Sequence, residues 1–166
     1  MGSYYFDTSA VIKLYVPEAG SEWVERIVTQ RGEDGFVHVI TFVKIGIVET
    51  AAALTRRQRL GDITLAERNR LYASFIRDVE HRFVTLAVDD GLLLRAAELT
   101  QHHLLRGYDA VHLAAALTFS RQLTDAGLPG LTFASADETL CDVARAEGLI
   151  VENPNVYGTE NVQTIS

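Results

Sequence analysis

Short runs of β-branched and aromatic residues alternate with stretches of helical periodicity along almost the whole chain, and this alternation leaves few folds open. Tyr4-Tyr5-Phe6 reads as a first strand, and helical spacing through Ala10, Val11, Leu14 and Tyr15 then stops at Pro17. A second helix opens at Gly20-Ser21, with Trp23, Ile27 and Val28 as its apolar stripe. Phe36 to Ile40 reads as a buried strand, followed by helices from Thr41 to Arg57 and from Thr64 to Val79. Thr64 and Glu67 form a capping box at the start of the latter. Phe83 to Leu86, Leu131 to Ala134 and Leu149 to Val151 are further strands. Gly91 to His103, Tyr108 to Leu123 and Glu138 to Glu147 are further helices. Strands that are short, apolar and separated by helices imply an α/β fold, a central parallel sheet of about five short strands covered on both faces. One domain over residues 1–154 with a tail of 155–166 is expected.

In such sheets ligands bind beyond the carboxyl ends of the strands, so residues just after strands carry most weight. Asp7 follows the first strand and Asp137 follows the fourth after Ser135-Ala136. Each also has a structural explanation. Asp7 suits a helix N-cap, and Ser135-Ala136-Asp137-Glu138 has the form of a capping box. Glu49 shares a helix face with Phe42, Ile45 and Ala52, where a charge is costly unless compensated. Gly46 lies within that helix at a cost of about 1 kcal/mol relative to alanine. It either permits close packing or marks a later helix start. Asp109 begins an almost wholly apolar helix, and His112 lies on the same face three residues on. His112 reads as a hydrogen-bonded core histidine that steadies Asp109 or nearby backbone.

Acids that converge repel one another. Two charges about 4 Å apart interact by roughly 4 kcal/mol at an effective dielectric near 20. A cluster of three or four therefore requires protonation or a cation. Oxygen ligands suit the hard ions Mg²⁺ and Mn²⁺, and the single cysteine, Cys141, excludes a cysteine-rich zinc set. Hard ions held by carboxylates suit phosphodiester hydrolysis, with Asp137 or Glu49 as the acid that orients or deprotonates water. The net charge of −7 argues against affinity resting on phosphate contacts over the whole surface. Thirteen of the fifteen basic residues are arginine, however, and Arg56, Arg57 and Arg59 cluster, so a local RNA contact stays open. No signal peptide or bilayer-spanning run is visible, and a cytoplasmic protein is expected.

Four segments resemble the motifs of PIN domains, VapC-type toxins in particular. They are Phe6-Asp7-Thr8-Ser9-Ala10-Val11-Ile12-Lys13-Leu14-Tyr15, Val48-Glu49 in an alanine-rich helix, Tyr108-Asp109-Ala110-Val111-His112-Leu113-Ala114, and Phe133-Ala134-Ser135-Ala136-Asp137-Glu138-Thr139-Leu140. The third is the most specific, and the resemblance runs over roughly residues 3 to 154 in the right order. It implies a three-layer PIN fold and Mg²⁺- or Mn²⁺-dependent cleavage of RNA. It also implies an acidic metal site at Asp7, Glu49, Asp109 and Asp137, with Ser9 as a hydroxyl beside it. A homodimer and a small antitoxin that blocks the site and binds operator DNA are implied as well. Two rivals stand beside this reading. An aspartyl-type phosphatase would want a second aspartate where the chain has Ser9, and a late lysine where none follows Lys44. A binding module that keeps the fold without turnover is the other.

Overall fold

The computed structural model describes residues 2–158. In chain order its elements are β1 (Gly2–Phe6), α1 (Thr8–Val11), α2 (Ser21–Thr29), β2 (Arg31–Gly32), β3 (Gly35–Phe36), β4 (His38–Val43), α3 (Ile45–Leu60), α4 (Leu65–His81), β5 (Val84–Leu86), α5 (Asp90–His102), α6 (Gly107–Asp125), β6 (Thr132–Ala134), α7 (Glu138–Ala146) and β7 (Ile150–Glu152). Single 3-10 turns follow α1 and β7. Five strands form one sheet in the order β5-β4-β1-β6-β7. Every pairing in it is parallel, with Tyr4 opposite Ile40 on one side and Thr132 on the other. The expected α/β architecture is therefore present, as three layers with helices on both faces.

Strand alternation divides the core in two. Phe6, Ile40 and Phe42 face one layer, where Val24, Leu54 and Phe75 of α2, α3 and α4 bury against them. Tyr5, Val43 and Phe133 face the other, against Leu92 of α5, Leu140 of α7 and the run Ala110, Leu113, Ala114 of α6. The small alanines let α6 lie close on the sheet, which explains its near-complete burial from Ala110 to Ala116.

Three details differ from the sequence reading. The strand expected at Phe36 to Ile40 is β4, His38–Val43, and the helix expected from Thr41 begins at Ile45. Thr41, Phe42 and Val43 pair with Val84, Thr85 and Leu86 of β5, so sheet hydrogen bonding claims the residues whose spacing also suited a helix. Phe36 leaves the core and sits in the small β2–β3 ribbon, where the Arg31 and Arg82 guanidiniums lie 4.1 and 3.9 Å from its ring centre. Gly46 thus falls in the first turn of α3, and a Cβ there would strike the Phe42 ring. The stretch read as a tail begins as an ordered 3-10 turn, Pro154–Tyr157. Tyr157 stacks on Trp23 with ring centres 5.2 Å apart, and residues 159–166 lie outside the described residues.

Candidate active site

The sheet reverses its direction of growth at β1: the chain adds β4 and β5 on one side, then returns to add β6 and β7 on the other. Such a reversal opens a crevice beyond the carboxyl ends of the central strands. Asp7 emerges from β1 into it, and Ser135 emerges from β6. Glu49 stands in the second turn of α3, just after β4, and Asp109 in the first turn of α6. Asp137 is the N-cap of α7. All four acids, with Ser9 and His112, line one cavity of about 670 Å³. Asp7 and Asp137 lie 130 residues apart in sequence; the parallel topology brings them together.

Asp7 is buried and caps α1, its Oδ1 accepting from the Ala10 amide at 2.9 Å. The structural explanation for this residue is therefore correct, but incomplete. Oδ1 also accepts from the Ser9 hydroxyl at 2.7 Å, and Oδ2 from the Ser135 hydroxyl at 2.7 Å. Ser9 Oγ in turn accepts from the Ala136 amide at 2.8 Å, which ties the β1 and β6 termini together. Burial pushes the Asp7 carboxyl above its ordinary pKa, against the opposing influence of His112, Ser135, Ser9 and the Ala10 amide. Ser135 does not form the capping box that its spacing suggested. Asp137 takes the cap, accepting from the Leu140 amide at 3.0 Å, and leaves Ser135 free to hold Asp7.

Glu49 is held by a chain of hydrogen bonds that begins in the core. His112 Nε2 lies 2.6 Å from Glu49 Oε2, and the Thr8 hydroxyl donates to the same oxygen at 3.0 Å. A carboxylate only accepts, so Nε2 carries its proton toward Glu49. On the other side of the ring the Tyr5 hydroxyl lies 2.9 Å from Nδ1. Burial alone would raise the Glu49 pKa, but the hydrogen bond and charge of His112, with Thr8, hold it below its ordinary value. His112 thus steadies Glu49 rather than Asp109. Tyr5 and Thr8 were not singled out from sequence. Period-two alternation puts Tyr5 on the same side of the strand as Asp7, the one signal that could have found it.

This chain sets an expectation for His112. Replacement by leucine removes both bonds and costs about 1–3 kcal/mol of stability. It also lowers activity about 10–100-fold, as the loss of a group that orients a site carboxylate does. His112→Gln, whose amide can still donate to Glu49, keeps most of the activity. Denaturant unfolding and cleavage rates on the two variants check this.

Asp109 and Asp137 are one-quarter to one-third exposed and share a single cation, Arg106, at 3.8 and 3.9 Å. Burial raises the Asp109 pKa; Arg106 opposes the rise, and the neighbouring charges of Asp137 and Asp7 add to it. Among the described residues no three His, Cys, Asp or Glu side chains stand as a ready-made ligand cluster. The donor set nevertheless fits a hard divalent ion. It offers carboxylate oxygens on one cavity wall, and Asp7 and Asp109 both carry a charge that burial disfavours. No helix of the described residues is long and apolar enough to cross a membrane.

Known proteins resemble this chain in sequence and in fold. The PIN domain family model matches residues 4–146. Ribonuclease VapC45 of Mycobacterium tuberculosis is 33% identical over 147 residues, covering 87% of this chain and 90% of its own. Two solved structures share the fold. One is Mycobacterium tuberculosis VapC20, a sarcin-ricin loop cleaving toxin, with a TM-score of 0.59 and 18% identity over 89% of this chain and 96% of that one. The other is VapBC2 of Rickettsia felis bound to a promoter DNA fragment, with a TM-score of 0.58 and 11% identity over 91% of this chain and 98% of that one. The family-model match over residues 4–146 and the 33% identity to a VapC ribonuclease place this chain in the PIN domain family, among its VapC-type ribonucleases.

Proposed function

We propose that this protein is a metal-dependent endoribonuclease, the toxin of a VapBC-type toxin–antitoxin pair. The observation that carries the reading is the convergence of Asp7, Glu49, Asp109 and Asp137 on one cavity at the switch point of the sheet. These four would hold Mg²⁺ or Mn²⁺. Such an ion, when bound, makes water more acidic and offsets charge that builds on the scissile phosphate. Ser9 and Ser135 fix both oxygens of Asp7, so that its position does not depend on the ion. Asp137 stands at the rim, where its carboxylate can orient the attacking water and take up its proton. Arg56 and Arg57 line the same cavity, suited to the phosphates on either side of the cleaved linkage. Arg57 is oriented by its ion pair with Glu18.

The partners follow from the surface. A chain of net charge −7 is poorly suited to DNA on its own, so operator contact falls to the antitoxin, in keeping with the DNA-bound relative. The outer side of α3 exposes Val48 and Leu60, an apolar surface that suits a second copy in a homodimer. The working domain spans residues 1–154 together with the turn that stacks Tyr157 on Trp23, and acts in the cytoplasm.

Purified, partner-free protein incubated with a broad RNA pool tests the reading. Cleavage is expected with Mn²⁺ or Mg²⁺, is abolished by EDTA and returns with excess Mn²⁺. Intact RNA under the same conditions would favour a PIN-fold binding module without turnover. Hydrolysis of a small phosphate monoester instead would favour the phosphatase.

A further inference from the structure

Arg106 is poorly chosen for the stability of its own helix. It occupies the N-cap of α6 with extended backbone, and its side chain makes no capping hydrogen bond. That position favours Ser, Thr, Asp or Asn, and the positive end of a helix repels a cation. The side chain is 84% exposed, so packing does not account for it either. Its contacts are two acids on different helices. Nε lies 3.8 Å from Asp109 Oδ2, and Nη2 lies 3.9 Å from Asp137 Oδ2. Both distances exceed a hydrogen bond, so the guanidinium is a loose counter-ion over the pair and contributes little to folding. It lines the same cavity as Arg56 and Arg57. Of the three, it alone bridges two of the four site acids.

We propose that Arg106 is a phosphate-binding residue held in waiting by Asp109 and Asp137, which it screens until a divalent ion takes its place. The proposal rests on the nuclease reading above. Before metal enters, the guanidinium offsets repulsion between the two carboxylates. A divalent ion bound there carries more charge in less space and displaces it. The released side chain stays tethered at the mouth of the cavity, and its planar fork matches two oxygens of an RNA phosphate. One residue thus opposes metal binding and assists substrate binding, which gives its removal two effects of opposite sign.

Calorimetry with Mn²⁺ alone and cleavage of a short RNA at saturating Mn²⁺, on wild type, Arg106→Gln and Arg106→Lys, test this. Arg106→Gln is expected to bind Mn²⁺ roughly fivefold more tightly, since a competing charge is gone. Its kcat/KM is expected to fall about 100-fold, as when one preorganised donor is lost. Arg106→Lys keeps the charge without the fork, so its Mn²⁺ affinity stays near wild type while its activity still drops. Weaker or unchanged Mn²⁺ binding by Arg106→Gln overturns the counter-ion role. Unchanged kcat/KM in that variant overturns the phosphate role. A wild type that binds Mn²⁺ yet leaves every RNA intact defeats the nuclease reading and the phosphate role with it, while the calorimetry still decides the counter-ion role on its own.

Discussion

Asp7→Asn lowers RNA cleavage about a thousandfold while leaving the protein folded and, in EDTA at neutral pH, more stable than wild type. The activity loss follows because the buried carboxylate is the most enclosed of the four oxygen donors, and groups that act as a unit lose most of their effect when one is removed. The fold survives because asparagine preserves the hydrogen-bond pattern. Its carbonyl oxygen still accepts from Ser9 and the Ala10 amide. Its amide can donate to Ser135 Oγ, a hydroxyl able to accept as well as donate. The stability gain has a definite pH dependence. Burial raises the Asp7 pKa in the folded state, so the folded protein resists ionisation there. Below the unfolded pKa the group is protonated in both states and costs nothing. As pH rises through the folded pKa, wild type loses stability that the asparagine variant does not. Melting curves of the two proteins in EDTA, from acid to neutral pH, should therefore diverge upward, and added Mn²⁺ should stabilise only wild type. A variant that cleaves RNA normally, or curves that converge as pH rises, would remove Asp7 from the site.

Phe42→Ala costs about 3–5 kcal/mol, a large part of the roughly 5–15 kcal/mol that such a domain holds in total. For a chain of this size that lowers the melting temperature by about 6–20 °C. Phe42 is fully buried on β4 and meets Phe75 edge to face, with ring centres 5.9 Å apart; Phe83 and His112 lie at 6.4 Å. It joins the sheet to α4 and lies beside the histidine that holds Glu49. The interior gives a second, sharper test. Gly46 has no side chain because the Phe42 ring occupies the space where one would go. Gly46→Ala alone is expected to destabilise by about 1–3 kcal/mol through overpacking. In the Phe42→Ala background the added methyl enters the vacated volume and gains helix propensity. The double variant should therefore be more stable than the two single losses predict when added together. Simple additivity would contradict the contact.

The parts legible in the sequence were those whose causes are local. The Thr64–Glu67 capping box forms in both directions, because its partners are three residues apart. Asp7 and Asp137 stood out because each follows a strand end; Asp7 is the N-cap its sequence suggested, whereas Asp137 is itself the N-cap of α7 in place of Ser135. The boundary at Thr41 to Lys44 was misplaced because an apolar run satisfies helix and strand spacing alike; pairing with Val84 to Leu86 decides it from a distance. The partner of His112 was missed for the same reason. Glu49 lies 63 residues away, and nothing near either residue announces the other. Ser135 shows how one local rule can displace another. Once Asp137 caps α7, the serine that would have capped it is released to hold the site.

The order in which the sheet is built sets when the crevice can form. Of the sheet's strands β1 is made before the others, yet it sits in the middle, and one of its two neighbours is made only at residues 132–134. At about 5–20 residues per second, Asp137 is synthesised on the order of ten seconds after Asp7. Throughout that interval the nascent chain lacks Asp137 and one wall of its crevice, so the four acids cannot meet. Translation is thus a built-in delay, and the crevice closes only when nearly the whole domain has been made.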